Sequence, residues 1–308
     1  MPEITVILPL YSESLDYAKK AIDSILLQEF VDFELLLILD NPQNYELLNL
    51  IKNYKHKDCR VRYMINCKNL GLAATLNRAI SEINSKYIAR MDADDISKKD
   101  RLIKQYNYMT NNREIGICGT AVEYIDKNGN FILEDNILPQ NIEKSLKYKN
   151  CMNHPTYFAQ TIVMKKIKYR EDLKYAQDYD FVCRCVENGI KIANMNEKLL
   201  FYRLERNSPR KQVYQNITAY YIKKFYRKGN LSIQKNLGNI IQNDINKYGE
   251  ENLIELASMR NFIKDLVSSH NIKNIFKKIK MLFYVHPYRF DQLKSNILFK
   301  VMKIGDFL

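Results

Sequence analysis

Short apolar runs alternate with stretches of helical periodicity along the first part of the chain. Two runs, Ile4–Leu8 and Phe33–Leu39, are almost wholly apolar, which is typical of strands buried on both faces. Between them, Leu15–Leu27 carries apolar residues at helical spacing. Residues 45–54 are predicted as a second helix and Arg60–Ile65 as a third strand. Alternation of strand and helix in units of about 30 residues predicts a parallel sheet with right-handed crossovers.

The alternation continues beyond residue 70. We predict a helix at Gly71–Ile83 and a fourth strand at Lys86–Met91. The next helix is expected to end near Asn111, with Ser97 as its N-cap. Ligands of parallel sheets bind beyond the carboxyl ends of the strands. The loops after the first, second and fourth strands should therefore meet at one mouth.

The second half of the chain alternates less regularly. Asn128-Gly129 is a strong hairpin signal between predicted strands at Gly116–Tyr124 and Phe131–Leu133. The other predicted elements are a helix at Asn141–Lys149, a strand near Phe158–Met164, a helix from Gln177 to Gly189, short strands at Ile190–Ala193 and Leu199–Arg203, and mostly helix from Pro209 onwards. We therefore divide the chain into an α/β domain, residues 1–208, and a basic, mostly helical region, residues 209–308.

The clearest chemistry lies in Ala89–Ser97, where Asp92, Asp94 and Asp95 follow directly after the fourth strand. Like charges this close repel each other unless a cation lies among them. Carboxylates without a nearby Cys or His suit Mg²⁺ or Mn²⁺ better than zinc. A solvated acidic turn is the alternative for this triplet by itself. Asp95 also has a second interpretation, as a cap of the following helix.

The loop after the first strand, Leu8–Glu13, contains no glycine. A Rossmann or P-loop nucleotide site needs glycines there, because its backbone must approach the phosphates closely. A nucleotide could instead stack on Tyr11 and donate a base N–H to Asp40, and its phosphates would then need a metal. An aromatic side chain at the rim is the alternative interpretation of Tyr11.

Charge is distributed unevenly along the 308 residues, whose net charge is +13. Residues 209–308 carry 18 Lys and Arg against 7 Asp and Glu, whereas the first 208 residues carry 30 against 28. A basic region implies an anionic partner such as lipid headgroups or a phosphorylated substrate. No nucleic-acid motif accompanies the charge, so we expect no nucleic-acid partner.

Basic and aromatic residues interleave at helical spacing in two segments of this region, Tyr220–Lys228 and Ile275–Tyr284. That pattern is typical of a helix lying on an anionic membrane. An amphipathic helix packed on the α/β domain is the alternative. The six cysteines show no CxxC spacing, which favours a reduced, cytoplasmic protein. There is no run of 18 apolar residues and no signal-peptide pattern, so we expect peripheral contact with the inner face of the cell membrane and no transmembrane helix.

A set of segments matches a known family in order along the chain. They are Ile4–Glu13, Asp40, Asn69–Leu72, Ala89–Ser97 with Arg101 and Gln105, Gly116–Thr120, His154–Thr156, Asp178–Asp180 and Leu199–Arg203. This set resembles the family 2 glycosyltransferases, which are inverting enzymes, over roughly residues 3–208. The resemblance implies the GT-A fold, a Rossmann-like, mostly parallel sheet flanked by helices, here with a C-terminal helical appendage.

The resemblance implies a UDP-sugar donor, expected as UDP-Gal, UDP-Glc or UDP-GlcNAc, and Mn²⁺ or Mg²⁺ as cofactor. Asp94 matches the DxD metal ligand, Asp92 matches a ribose or sugar contact, and Asp178 falls where the family has its catalytic base. The donor-binding residues that the resemblance implies are Pro9, Tyr11, Glu13, Asp40, Asn69, Gly71, Arg78, Asp92 and Ala93.

Two positions depart from the family pattern. The family often has Glu before the base, where this chain has Gln177. Many members have Arg in the helix after the glycine, where this chain has Leu76-Asn77-Arg78, so Arg78 is a weak substitute as a diphosphate contact.

Three further residues are candidates for contacts with the acceptor or the diphosphate. His154 could touch the diphosphate, the metal or the acceptor, and a loop histidine held by the backbone is the alternative. Arg203 could pair with phosphate, and a surface arginine is the alternative. Asp180 is a rival to Asp178 as base, and its alternative role is to complement the helix dipole.

The expected acceptor is a lipid-linked or oligosaccharide intermediate of a bacterial surface glycan, as in O-antigen, capsule or lipooligosaccharide biosynthesis. A sugar nucleotidyltransferase also combines paired acids and a metal on a similar sheet, but it needs a glycine-rich loop after the first strand. A non-catalytic glycan- or membrane-binding module with the same fold is a third hypothesis. The intact set of Asp92, Asp94 and Asp178 argues against that module.

Overall fold

The computed structural model describes residues 1–135, 139, 141–204, 208–251 and 254. The strands of these residues are β1 (Ile4–Leu10), β2 (Phe33–Leu39), β3 (Val61–Ile65), β4 (Tyr87–Arg90), β5 (Ile96–Ser97), β6 (Ile115–Ile125), β7 (Phe131–Glu134), β8 (Phe158–Gln160) and β9 (Lys191–Arg203). The helices are α1 (Leu15–Leu26), α2 (Tyr45–Lys57), α3 (Leu72–Ser81), α4 (Arg101–Asn111), α5 (Ile142–Leu146), α6 (Thr161–Ile167), α7 (Gln177–Glu187), α8 (Pro209–Arg227) and α9 (Leu237–Tyr248).

The described strands form one sheet, in the order β3-β2-β1-β4-β8-β6-β9-β5, with β7 paired to β6. The pairs β3–β2, β2–β1 and β1–β4 are parallel, which confirms the predicted α/β sheet. β8 joins β4 to β6 through antiparallel pairs, and β6 pairs in parallel with β9. The carboxyl ends of β1, β2 and β4 therefore lie side by side.

Side chains alternate between two hydrophobic layers, because successive residues of a strand face opposite sides of a sheet. Along β1, Val6 and Leu8 pack into the layer that contains α1 and α2, whereas Ile7 packs into the layer that contains α3 and α7. Both layers are dry, since these three side chains are at most 1% exposed. The continuous apolar runs of the sequence are thus strands covered by helices on both faces.

Three predicted local features are wrong. Ser97 does not cap a helix, because Ile96–Ser97 pairs with Leu200–Phe201 as a short strand and α4 begins only at Arg101. The strand predicted to reach Met164 ends at Gln160, and α6 follows it. The two short strands predicted after residue 190 are one strand, β9, whose register against β6 shifts along its length.

The first helix of the basic region packs on the α/β part of the chain. On α8, Ile217 and Ile222 belong to the same hydrophobic layer as α3 and α7. The Tyr226 hydroxyl donates to the Glu143 carbonyl, and Arg227 Nε donates to the Lys147 carbonyl. In Tyr220–Lys228 the apolar face is therefore covered by protein and not available to lipid, whereas Ile275–Tyr284 lies outside the described residues.

Nowhere in the described ranges is a helix both long and apolar enough to cross a bilayer.

Candidate active site

A cavity of about 1120 Å³ lies at the carboxyl ends of β1, β2 and β4. The predicted site residues that line it are Pro9, Tyr11, Glu13, Asp40, Asn69, Gly71, Asp92, His154 and Asp178. Arg78, Ala93, Asp94, Asp180 and Arg203 are not among the residues that line it. A separate depression of about 670 Å³, beside Lys86 and Arg113, contains none of the predicted residues.

The first loop forms one wall of this cavity. The backbone N–H of Tyr11 donates to Glu13 Oε2 at 2.7 Å, which closes the loop on itself, and the Tyr11 side chain is 44% exposed. Burial raises the pKa of Glu13 above its usual value, and the charge of nearby Asp92 raises it further. An exposed aromatic side chain at the rim is thus placed beside a partly buried carboxyl group.

Asp40 organises the loop before α3. Its Oδ1 accepts from Asn66 Nδ2 at 2.6 Å and from the Leu70 N–H at 2.8 Å. Its Oδ2 accepts from the Gly71 N–H at 2.9 Å. Gly71 has φ +82°, a left-handed conformation that favours glycine. Asn69 Oδ1 also accepts from Gly71 N–H, so the loop is shaped by hydrogen bonds on both sides.

Arg78 does not reach the cavity. Its Nη1 donates to the Ile65 carbonyl at 2.8 Å and to Asn66 Oδ1. The side chain therefore holds the loop after β3, and the structure does not bring it to a position where a diphosphate in the cavity could meet it.

Asp92, Asp94 and Asp95 bring carboxylate oxygens within 4.8 Å of one another. Burial and the charges of Asp92 and Glu13 raise the pKa of Asp94 to about 7. Burial and the other two aspartates raise the pKa of Asp95 well above its usual value. Asp95 cannot cap α4, which begins six positions later at Arg101. Its Oδ1 accepts from the Arg203 N–H at 2.8 Å.

This cluster fits a hard divalent cation. All of its candidate ligands are carboxylate oxygens, the donors that Mg²⁺ and Mn²⁺ prefer. Asp95 Oδ2 is buried and has no hydrogen-bond partner in the described structure. Buried carboxylates whose pKa values are raised by one another are stabilised in their charged form by a cation.

Arg203 holds the acidic loop by hydrogen bonds to Asp94 and Asp95. It is 3% exposed, and its Nε donates to the Asp94 carbonyl at 2.8 Å. Its Nη1 donates to the Asp126 carbonyl at 2.7 Å, and its guanidinium lies 4.2 Å above the ring of Tyr17. Arg203 is therefore neither a phosphate contact within the cavity nor a surface arginine. Its Nε and Nη1 donate to backbone carbonyls, and one face of its guanidinium packs on the Tyr17 ring.

Arg90 is a site residue to which the sequence analysis assigned no role. It is 2% exposed, lines the cavity and forms an ion pair with Asp92. The buried Arg101 guanidinium donates to the Arg90 carbonyl at 2.7 Å, and Gln105 accepts from Arg101 at 2.9 Å. The matched positions Arg101 and Gln105 thus act on the backbone that carries the acidic cluster.

Asp178 lies in the first turn of α7 and lines the cavity. Its Oδ2 accepts from Asn150 Nδ2 at 2.8 Å. Burial raises the pKa of Asp178, while backbone N–H groups of the first turn and the Arg90 guanidinium oppose that rise. The residue before the helix, the N-cap Ala176, has a φ of 53°, which is left-handed for a residue with a side chain.

Asp180 points into the protein interior. It is 0% exposed, and it forms ion pairs with Arg184 Nε at 2.6 Å and with Arg170 Nη1 at 3.2 Å. Arg184 also donates to the Ile167 and Lys168 carbonyls. Asp180 therefore joins α7 to the segment around α6, and the structure places it away from the cavity.

His154 lines the cavity as a half-buried imidazole. Its Nε2 lies 2.9 Å from the Tyr169 hydroxyl, and its ring packs against Tyr157. Burial and the positive charge of Arg90 lower its pKa well below the usual value. The neutral form is thus favoured in the folded protein, which suits a hydrogen-bonding role better than pairing with a phosphate.

The cavity also contains residues that the sequence analysis did not select. They are Tyr124, Asn150, Asn153, Lys174, Tyr175, Tyr202 and Lys211. They come from β6, β9, α8 and two loops, so no local motif connects them. Two of them had a sequence signal, because Tyr202 lies in the matched segment Leu199–Arg203 and Lys211 lies at the start of a predicted basic helix.

Known proteins are similar to this chain in sequence. The model of glycosyl transferase family 2 matches residues 5–171. An uncharacterized glycosyltransferase of Methanocaldococcus jannaschii is 39% identical over 206 residues, which are 66% of this chain and 71% of that protein. The O-antigen biosynthesis glycosyltransferase WbnJ of Escherichia coli is 36% identical over 219 residues, which are 69% of this chain and 85% of that protein.

Solved glycosyltransferase structures share the fold. The mannosyltransferase PcManGT from Pyrobaculum calidifontis, in complex with GDP-Man and Mn²⁺, has a TM-score of 0.61 and 12% identity, covering 99% of this chain and 88% of that chain. S. aureus TarS 1–349 in complex with UDP has a TM-score of 0.55 and 19% identity, covering 71% of this chain. This chain spans 65% of that fragment and 39% of the longer TarS structure. The chain therefore belongs to glycosyl transferase family 2, has the GT-A fold, and is a glycosyltransferase.

Proposed function

We propose that this enzyme transfers a hexose, with inversion, from a UDP-sugar to a hydroxyl group of a bacterial surface-glycan intermediate. One observation carries the proposal. A single cavity is lined by Tyr11 and Asp40, by Asp92 of the acidic cluster and by Asp178. A nucleotide-sugar carries its base at one end and its reacting carbon at the other, so the candidate base-binding and catalytic residues must line one cavity.

The nucleoside is proposed to bind between the first loop and the loop held by Asp40. The Tyr11 side chain offers an exposed aromatic surface for the base. Asp40 Oδ2 has one hydrogen bond from Gly71 and lines the cavity, so it can accept a second one from a base N–H. Asp92, oriented by its ion pair with Arg90, is the proposed contact to ribose or sugar.

Asp94, together with Asp92 and Asp95, would hold Mn²⁺ or Mg²⁺. When bound, such a cation supplies positive charge where the leaving diphosphate gains negative charge. The similarity to a mannosyltransferase solved with Mn²⁺ supports this choice of cofactor.

Asp178 is the proposed general base. Its carboxylate accepts the proton of the acceptor hydroxyl while the acceptor oxygen bonds to the anomeric carbon and the bond to the diphosphate oxygen breaks. Attack from the side opposite the leaving group inverts the anomeric centre. Asp180 is not proposed for this step, because two arginines occupy its carboxylate in the interior.

The acceptor class follows from the relatives. WbnJ is a glycosyltransferase of O-antigen biosynthesis, and AmsE of Erwinia amylovora, 29% identical over 202 residues, is one of amylovoran biosynthesis. Both names refer to the biosynthesis of a bacterial polysaccharide. We therefore propose a lipid-linked or oligosaccharide acceptor from such a biosynthesis.

A nucleotide-release assay tests the proposal. UDP-Gal, UDP-Glc, UDP-GlcNAc and GDP-Man are each offered with bacterial glycan intermediates, with Mn²⁺ and with EDTA, and the anomeric configuration of the product is read by NMR. We expect turnover with one UDP-sugar, loss in EDTA, and an inverted product. Asp94→Ala should abolish turnover and the Mn²⁺-dependent part of UDP binding measured by calorimetry, whereas Asp100→Asn on the surface near α4 is the control.

Several results would contradict the proposal. A retained anomeric configuration would exclude the single displacement, and full turnover in EDTA or by Asp94→Ala would exclude the metal. If GDP-Man were the one donor that supported turnover, the proposed UDP-sugar donor would be wrong. Formation of a nucleotide-sugar from a sugar phosphate would favour a nucleotidyltransferase, and binding without turnover would favour a non-catalytic module.

A further inference from the structure

The side-chain amide of Asn150 is bound at both of its ends. Nδ2 donates to Asp178 Oδ2 at 2.8 Å, and Oδ1 accepts from the Met152 N–H at 3.1 Å. Asn150 lies in the loop after α5, is half-buried and lines the same cavity as Asp178. Its amide thus faces the carboxylate with a donor and faces its own loop with an acceptor.

The loop that carries Asn150 is itself fixed to the sheet. Asn194 of β9 donates to the Cys151 carbonyl at 2.9 Å. Asn153 donates to Asp135 Oδ2 at 2.7 Å, and its carbonyl accepts from the Thr156 hydroxyl at 2.7 Å. The loop that carries the Asn150 amide is therefore tied to β9 and to the segments around it, and the Tyr179 hydroxyl of α7 also donates to the Leu146 carbonyl just before this loop.

Asp178 is also held through its backbone. The hydroxyl of the buried Tyr157 lies 3.4 Å from the Asp178 carbonyl as a donor. Within the described part of the chain, Asn150 is the one side chain that donates to the Asp178 carboxylate, and it meets Oδ2 only. Oδ1 therefore has no side-chain donor from these residues, and the backbone N–H groups of the first turn are the other donors that act on the carboxylate. A carboxylate oxygen has two lone pairs, so a further hydroxyl group can still donate to Oδ1.

We infer that Asn150 is a positioning residue for the base, holding Oδ2 of Asp178 so that Oδ1 meets the acceptor hydroxyl. This inference rests on the proposed function, because it assumes that Asp178 accepts the proton. An N–H donor to a carboxylate also stabilises the ionised form, which is the form that a base needs.

Other charged and titratable groups act on the same carboxylate. Arg90 opposes the rise of its pKa, and Asp92 and burial promote that rise. Tyr157 and Tyr169 also face it. The contribution of Asn150 must therefore be measured as a difference between variants that leave these groups in place.

The test is a direct titration of Asp178. Metal-free protein labelled with ¹³C at the aspartate carboxyls is followed by NMR against pH, and the Asp178 signal is assigned by its loss in Asp178→Asn. In Asn150→Ala we expect the titration midpoint of Asp178 to rise by roughly one to two pH units, as the loss of a hydrogen bond to a charged group implies. In Asn150→Asp, which keeps the shape, it should rise further because two carboxylates then face each other.

Asn194→Ala is the matched control. It removes an asparagine amide that donates to the same loop, at Cys151, but does not touch Asp178. Because the other contacts of the loop remain, we expect it to lower the melting temperature and to move the Asp178 midpoint much less than Asn150→Ala does. Kinetically, Asn150→Ala should lower kcat at least tenfold at pH 6 with an unchanged KM for the donor, and part of that loss should be recovered at pH 8.

The outcomes distinguish the positioning role of Asn150 from the general-base role of Asp178. Midpoints that coincide in the wild type and both Asn150 variants would overturn the positioning role. The same holds if Asn194→Ala shifts the midpoint as much as Asn150→Ala does. An active Asp178→Asn would overturn the proposed base instead, whatever the titration shows.

Discussion

At the scale of single residues, two aspartates separated by one position have opposite environments. Asp178 lines the cavity and receives one amide, whereas Asp180 is enclosed by Arg170 and Arg184. A helix turns about 100° per residue, so residues two apart point to different sides. The chemistry of this segment therefore depends on which side faces the cavity.

Asp178→Asn and Asp180→Asn should fail in different ways. Asp178→Asn should lower kcat by about 10²–10⁴-fold, the usual effect of losing a general base, with little change in donor affinity. Asp180→Asn leaves two buried guanidinium groups without their counter-charge, and breaking a buried pair costs about 3–5 kcal/mol. Its folded fraction should keep its kcat while its melting temperature falls, as activity and calorimetry on the same samples would show. An inactive but stable Asp180→Asn beside an active Asp178→Asn would reverse the assignment.

His154 makes stability depend on pH. Burial lowers its pKa in the folded state well below the unfolded value of about 6.5. As pH falls through 6.5 the unfolded chain binds a proton there and the folded chain does not, so the free energy of unfolding decreases. Urea unfolding between pH 7.5 and 5 should show a smaller decrease for His154→Gln than for the wild type.

His56→Gln, on the exposed surface of α2, provides the comparison for that measurement. The same decrease in all three proteins would show that His154 is protonated in the folded state.

At the scale of elements, the turn between β3 and α3 is built from a carboxylate and a glycine. The Gly71 N–H donates to both Asp40 and Asn69, and this geometry requires its positive φ. The loop is short because α3 begins at the next residue, Leu72. Its shape therefore depends on local backbone freedom and on one side chain from the end of β2.

Gly71→Ala and Gly129→Ala form a matched pair. Both glycines have positive φ, and a Cβ on either would meet no atom within 4 Å, so the cost is backbone strain of about 1–2 kcal/mol. Each variant should lose about that much stability. Of the two variants, Gly71→Ala alone should weaken UDP binding, because Gly71 donates to Asp40 and Gly129 does not. Equal UDP affinity of the two variants in calorimetry would separate the Asp40 loop from nucleotide binding.

At the scale of the whole molecule, the basic region divides into a part that packs and a part outside the described residues. α8 covers α7 with side chains such as Ile217, and Lys211 of its first turn lines the cavity. Membrane contact therefore remains a prediction for the segment Ile275–Tyr284 and not for Tyr220–Lys228. Each Lys near an anionic surface contributes about 1 kcal/mol, and salt weakens this attraction.

Flotation with anionic vesicles tests that prediction on the full chain. The triple variant Lys277→Glu, Lys278→Glu and Lys280→Glu should lose low-salt binding, and transfer to a lipid-linked acceptor should slow more than transfer to a soluble one. The control is the triple variant Lys52→Glu, Lys55→Glu and Lys57→Glu, which reverses the charge of three exposed lysines on α2. Removal of Asn271–Leu308 should release the protein as well. Equal flotation of all these proteins, or binding by none, would contradict membrane attachment.

The sequence by itself determined the parallel half of the sheet and the place of the site. A run such as Phe33–Leu39 is apolar enough to need cover on both faces, and loops after parallel strands must share one edge. The sequence alone therefore predicts that Tyr11, Asp40 and Asp92 lie at one mouth. These conclusions need only local composition and the handedness of strand connections.

Tertiary structure decided which polar side chains face that mouth. Arg203 meets Asp94 and Asp95 across more than 100 residues of chain, and Asn150 meets Asp178 across 28. Such pairs form because packed layers bring distant segments within hydrogen-bond distance, and no periodicity along the chain encodes that distance. For the same reason Ser97 became part of a strand with β9 and not a cap: its partner lies a hundred residues away.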